Sequence, residues 1–190
     1  MNLWFRLIWY ALMSPWRERI IAGTDVGRLG FRVWPGDLDL SLHMNNGRYL
    51  TIMDLGRLDF LVRTGLWRAV RKHGWTPIAS SIVIRYRREL RPFDRFRLET
   101  RLVCWAEASV VMEQVFVLLT GPHKGQVAAR AMFKGGIYSR SQRSFVDVGR
   151  LMSEIGVTAT SPPMTAEVEA FLKADGALKI GAAQYATAET

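Results

Sequence analysis

The chain predicts an α+β fold, an antiparallel sheet wrapped around one long helix, on three observations. Between Asn46 and Thr64 the apolar residues Leu50, Met53, Leu58, Leu61 and Val62 recur near three- and four-residue spacing, the period of a helix with a buried stripe. From Ile78 to Tyr138 the period changes to two, in four long runs joined by short turns, as in strands with one face inward. A fifth alternating run, Leu29 to Trp34, precedes the helix and stops at Pro35-Gly36. With a single long helix and five strands, the helix must bury its stripe against the sheet.

Taken in order, residues 3–13 are apolar and aromatic, interrupted by Arg6. The run is shorter than the ~18–20 apolar residues of a membrane-spanning helix, and no small-residue cleavage site precedes Ser14-Pro15-Trp16. Two readings stand. One is a helix packed on the domain or on a partner subunit. The other is an interfacial helix covering residues 3–16, with Trp4, Trp9, Tyr10 and Trp16 at headgroup depth and Arg17 and Arg19 beside lipid phosphates. In the long helix, Leu55 and Phe60 widen the stripe, so it is expected to be covered on more than one side. Gly56 in its middle costs about 1 kcal/mol against alanine, and a close approach to another backbone would explain that cost. Gly65 ends the helix as a C′ glycine, and a shorter helix, Leu66 to His73, stops at Gly74. The four long strands are expected at Ile78–Glu89, Phe96–Trp105, Val110–Leu119 and Val127–Tyr138, paired as an antiparallel meander, with Leu29–Trp34 making a fifth. Short helices are expected at Val148–Ile155 and Ala166–Lys173, either side of Pro162-Pro163. The last dozen residues are small and polar enough to be disordered.

The 190 residues suffice for one domain, and a net charge of +9, carried mostly by arginine, points to anionic partners. Nucleic acid is excluded because no reading motif and no basic patch interleaved with exposed aromatics is found. An anionic membrane surface or a phosphorylated ligand remains. Cys104 stands alone, which rules out an internal disulfide and a cysteine-based zinc site and fits a reducing, cytoplasmic compartment. His43, His73 and His123 lack ligand spacing, so no metal is expected.

Chemistry concentrates between Pro35 and Tyr49. Asp37 and Asp39 are followed by Ser41 and His43, all separated by leucines, and then by Asn45-Asn46, whose short side chains can cap the helix. A carboxylate beside a helix N-terminus could attack a carbonyl while the free amides hold the oxyanion. Asp37 and the two asparagines are expected to be structural. Asp54 is a second candidate carboxylate on the helix, although a salt bridge to Arg57 or Arg48 accounts for it too. Ser80 and Ser81 have neither a base nor a nucleophile-elbow pattern.

The order of elements is similar to the hotdog fold. The motif Asp39-Leu-Ser-Leu-His43-Met-Asn45-Asn46-Gly-Arg-Tyr49 resembles the 4-hydroxybenzoyl-CoA thioesterase-like branch of that superfamily. More narrowly, Asp37-Leu-Asp39, His43-Met-Asn45-Asn46, Arg48-Tyr49-Leu50 and Tyr86-Arg87-Arg88-x-Leu90 resemble thioesterase superfamily member six-like proteins. The likeness spans about Gly30 to Arg140. It divides the chain into an N-terminal aromatic segment (1–23), a hotdog domain (24–149) and a C-terminal helical extension and tail (150–190). The resemblance implies hydrolysis of an acyl thioester of coenzyme A or acyl carrier protein, with no other cofactor, in a homodimer or higher homo-oligomer whose site lies between subunits. By the same resemblance Asp39 acts as nucleophile or base, His43 accompanies it, and the backbone amide of Asn46 polarises the carbonyl. Plant acyl-ACP thioesterases carry asparagine where Ser41 stands here.

Substrate phosphates would need cations outside the pocket, for which Arg85, Arg87, Arg88 and Lys134 are the candidates. Alternation along strands equally makes Arg85, Arg87, Arg95 and Arg97 a solvated face. A hotdog hydratase would set its acid and histidine one residue farther apart than Asp39 and His43. A non-catalytic acyl-binding or membrane-associated hotdog protein is the rival from another class.

Overall fold

The computed structural model describes residues 3–158 and 160–188. Helix α1 (Leu3–Met13) runs into a 3-10 turn, Ser14–Trp16, and strand β1 (Gly27–Arg32) follows. A second 3-10 turn, Pro35–Asp37, leads to the long helix α2 (Asn46–Thr64) and the short α3 (Leu66–His73). Strands β2 (Trp75–Tyr86), β3 (Arg95–Ala106), β4 (Ser109–Leu118), β5 (Val127–Ser139) and the two-residue β6 (Ser144–Phe145) come next, then α4 (Val148–Glu154) and α5 (Ala166–Ala188). All pairings are antiparallel, in the order β1-β3-β4-β5-β2, with β6 on the end of β5.

Helix α2 buries Ile52, Met53 and Leu55 in a core shared with Phe96 and Leu98 of β3 and Phe116 of β4. Gly56 is where helix and sheet come closest. A Cβ there would lie 2.6 Å from Leu98 Cδ2, 2.7 Å from Thr100 Oγ1 and 2.9 Å from Gln114 Nε2. The approach is to side chains of β3 and β4 rather than to another backbone. Gly65 takes the left-handed conformation, φ 87°, that ends α2 without a Cβ clash.

Three features differ from expectation. The strands β3, β4 and β5 do form a meander, but β2 pairs with β5 and not with β3. The segment between β2 and β3 therefore crosses to the other side of the sheet, where Phe93 N donates to Val33 O and Val33 N to Asp94 O. Strand β6 adds a sixth member, through Tyr138 opposite Phe145. Helix α5 continues well past Lys173, to Ala188, in place of a disordered tail. It lies across the outer face of the sheet, where Val168 and Phe171 join Cys104, Val111 and Met132.

The N-terminal segment seals one edge of the sheet. Carbonyls of alternate β1 residues point outward, and each meets a donor: Arg17 Nη2 at Arg28 O (2.5 Å), the Tyr10 hydroxyl at Gly30 O, and Arg6 Nη2 at Arg32 O (3.2 Å). Buried Asp59 of α2 fastens the same segment, accepting from Ser14 Oγ (2.6 Å), Arg17 (3.1 Å) and Arg63 (3.2 Å). Among the described residues, the outer edge of β2 has no such cover, and Ile78, Val83 and Tyr86 are exposed along it. An uncovered edge beside a sealed one leaves β2 as the edge open to a further strand.

Candidate functional site

The loop from Pro35 to Arg48 is built around Asp37. Its carboxylate is buried and accepts from Arg6 Nη2 (2.5 Å) and Trp34 N (2.9 Å), while Arg48 Nε lies 3.1 Å from the other oxygen. Its carbonyl accepts from Asn45 N at 2.9 Å. Asp37 thus ties α1, the end of β1 and the start of α2 together, a structural role. Asn45 is the N-cap of α2: its Oδ1 accepts from Gly47 N at 2.8 Å and its carbonyl from Arg48 N at 2.8 Å. Among the described residues the Asn46 amide meets no protein acceptor.

Between these fixed points the chain makes a tight excursion. Leu38 bridges Met44, Asp39 N donates to His43 O (2.9 Å), and Leu42 turns the corner at φ 61°. Asp39 is exposed. Its Oδ1 accepts from Ser41 N (2.9 Å) and, more weakly, from His43 N (3.4 Å). The carboxylate fixed at the first turn of α2 is that of Asp37, through Arg48, whereas Asp39 lies in the excursion with its side chain exposed. Leu40 and Leu42 on either side of the turn are largely solvent-exposed. His43 turns its ring toward Glu89, with Nε2 3.4 Å from the carboxylate, and among the described residues no hydrogen bond joins the ring itself to the Asp39 carboxylate.

Tyr49 and Tyr86 meet edge to face beneath the start of α2, 5.0 Å apart, and Tyr86 Oη approaches Asn46 O at 3.4 Å. Burial, reinforced by Tyr86 beside it, holds the Tyr49 phenol protonated well above the ordinary phenol range. The sequence signal for this pair was the Arg48-Tyr49-Leu50 and Tyr86-Arg87-Arg88 resemblance, since neither tyrosine stands out by periodicity.

The candidate cations divide. Arg87 and Arg88 leave β2 beside the loop and line a cleft of about 350 Å³ with Arg91 and His123, two residues that sequence reasoning missed, and with the carboxylates of Asp94 and of Glu89, which lies 3.3 Å from Arg91. Met44 N donates to Leu90 O (2.9 Å), so this cleft adjoins the Asp39 excursion directly. Arg85 and Lys134 do not belong with them. Arg85 pairs in register with Arg130 and Ser81 with Lys134, on the face covered by α5. There Lys134 Nζ is neutralised by Asp175 at 2.6 Å. Arg85 and Arg87 share a parity along the chain, and they part because β2 ends at Tyr86 and Arg87 lies beyond it.

A cavity of about 340 Å³ with a mostly apolar lining lies farther along α2, among Leu58, Leu61, Trp67, Ile78, Phe133 and Met152. Asp54 and Arg57 stand in its wall and are paired with each other. Arg57 also donates to Gln114 Oε1 (2.6 Å) and lies over the Phe133 ring, 4.2 Å from its centroid. Burial lowers the Arg57 pKa, with Asp54 opposing the effect.

Residues 33–172 match the family model described as the thioesterase-like superfamily. The chain is 42% identical over 87 residues to Protein THEM6 of Xenopus laevis, covering 46% of this chain and 42% of that one. It is 37% identical over 122 residues to Protein THEM6 of Danio rerio, covering 61% and 58%. It thus spans about half the length of these curated relatives. Among solved structures it resembles YbaW, a probable thioesterase from Escherichia coli, with a TM-score of 0.61 and 25% identity over 67% of this chain and 95% of that one. A 4-hydroxybenzoyl CoA thioesterase mutant complexed with 4-hydroxybenzoyl CoA shares the fold, with a TM-score of 0.62 and 14% identity over 69% and 99%.

Proposed function

Because the chain belongs to the thioesterase-like superfamily, we propose that it hydrolyses an acyl thioester of coenzyme A, with Asp39 as the reacting carboxylate and a second copy of the chain completing the site. The supporting observation is a loop pinned by buried charges that still leaves two groups free. These are an exposed carboxylate followed by two exposed leucines, Leu40 and Leu42, and the first amide of α2. Exposed leucines beside a reacting acid call for an apolar cover, and the open edge of β2 offers a second copy a place to pair. In the reaction Asp39 takes a proton from water as that water attacks the carbonyl, or attacks the carbonyl itself to give a mixed anhydride that water then hydrolyses. The oxyanion forms against the Asn46 amide, and the C–S bond breaks to release thiolate, a leaving group that needs little acid help. His43, held toward Glu89, orients the loop beside this centre.

The phosphates of the carrier would lie in the cleft of Arg87, Arg88 and Arg91. The KM for an acyl-CoA is therefore expected to rise steeply between low and physiological salt, while that for the matching pantetheine thioester stays level. Initial-rate measurements on both substrates check this, and equal salt dependence would remove the cleft from the reading.

A second reading places the chemistry at Asp54, because that carboxylate borders the apolar cavity that Asp39 does not reach in one chain. The rival from another class is an acyl-binding protein without turnover. A panel of acyl-CoA substrates with detection of free thiol separates enzyme from binder, and the two aspartate variants compared in the Discussion separate the two sites.

A further inference from the structure

The N-terminal helix presents two unlike faces. Arg6, Tyr10 and Ser14 turn inward to Asp37, Gly30 and Asp59. Phe5, Ile8, Trp9 and Leu12, at helical spacing, and then Trp16, point to solvent, each more than half exposed. Such a contiguous apolar and aromatic face on a helix fixed by buried ion pairs calls for a partner.

Beneath it lies a cleft of about 330 Å³ between α1 and β1, lined by Arg6, Trp9, Arg32, Trp34 and Arg95 and by no carboxylate. Arg32 and Arg95 have no ion-pair partner among the described residues, and the Arg32 guanidinium is 6.0 Å from the Trp34 ring. Arg6 is 2% exposed, yet its Nη1 has no hydrogen-bond partner. A buried guanidinium nitrogen without an acceptor, beside Arg32 and Arg95 with no carboxylate against them, marks a place for an anion.

We propose that α1 lies in the plane of an anionic bilayer, with its aromatic face among the acyl chains and a lipid phosphate in the Arg6–Arg32–Arg95 cleft. Eleven residues give a rod about 16 Å long, which cannot cross the hydrocarbon core but suits an in-plane seat. Indeed no helix among the described residues is long and apolar enough to span a membrane. Tryptophan at the cleft mouth suits the headgroup level, and arginines suit the phosphates. A second copy fits less well, because a face rimmed by unpaired arginines would meet the same charges on its copy, whereas the uncovered backbone edge lies at β2, at the far end of the strand order.

The test is co-sedimentation of the full chain with vesicles of phosphatidylcholine alone and with one third phosphatidylglycerol. Binding is expected to the anionic vesicles and not to the neutral ones. Arg32→Gln with Arg95→Gln is expected to weaken it roughly 30-fold, and Phe5→Ser with Trp9→Ser to abolish it, both with unchanged melting because these side chains are exposed. Failure to bind anionic vesicles, equal binding to both vesicle types, or variants that bind like the parent would each overturn the proposal. So would a change of sedimentation coefficient on Phe5→Ser/Trp9→Ser without lipid, which assigns the face to a second copy, or protection of the cleft by inorganic phosphate in the absence of vesicle binding. None of these outcomes depends on thioester turnover.

Discussion

Asp39→Asn is expected to lower kcat for acyl-CoA hydrolysis by about 10²–10⁴-fold with the melting temperature unchanged. The stability half follows from what the carboxylate does in the fold. Its fold contacts are at one oxygen, which accepts from Ser41 N and His43 N, and the amide oxygen of asparagine can accept both. Nothing buried is lost, since the loop is fixed by Asp37 through Arg6 and Arg48. The activity half follows from the charge. An amide cannot take a proton from water at neutral pH and does not attack a thioester carbonyl, while the Asn46 amide and the phosphate cleft are untouched, so KM is expected to move little. The control is Asp54→Asn. Asp54 is separated from the start of α2 by two turns, about 12 Å along the axis, and its exposed carboxylate pairs with the largely buried Arg57. Single-substrate kinetics of the two variants decide between the sites: near-parental turnover in Asp39→Asn, with loss in Asp54→Asn, would move the chemistry to the cavity.

Local signals accounted for the elements and not for their partners. The bounds of α2 and α3 were legible because apolar spacing, Asn45 as cap and the glycines at 65 and 74 act within a few residues. The alternating strands were legible for the same reason, and with them the hotdog resemblance. Which strands pair was not. The neighbour of β2 depends on where the crossover before Asp94 lands, and that is fixed by bonds to Val33, far away in the chain. The polar clasps were equally invisible, for Arg6 meets Asp37 across 31 positions and Ser14 meets Asp59 across 45. The same blindness affected the site. Lys134 reads as a free cation until Asp175 of α5 is set against it. Leu42, a residue with no turn signature, takes the positive φ that turns the chain between Asp39 and His43, a corner that no local signal announces.

Gly56 joins the sequence reading to the packing, and its replacement is expected to destabilise the domain's core. Against propensity alone, Gly56→Ala should stabilise α2 by about 1 kcal/mol. The opposite is expected, because the added carbon would sit within 2.9 Å of Leu98, Thr100 and Gln114 at once. Gln114 cannot simply yield. It is buried, its Nε2 donates to Met53 O (2.9 Å) and Thr100 Oγ1 (3.0 Å), and its Oε1 holds Arg57 at 2.6 Å. Moving it leaves a buried amide and a largely buried guanidinium short of partners, at about 1–3 kcal/mol for the hydrogen bonds, beyond about 1–3 kcal/mol for overpacking. Gly56→Val, branched at the clashing carbon, is therefore expected to cost roughly 3–5 kcal/mol and to lower the melting temperature by about 10 °C or more. Gly56→Ala is expected to fall between it and the parent. Chemical denaturation of the three proteins gives the order directly. Alanine more stable than glycine at this position would mean that helix propensity outweighs contact, and that α2 is free to lift from the sheet at its midpoint.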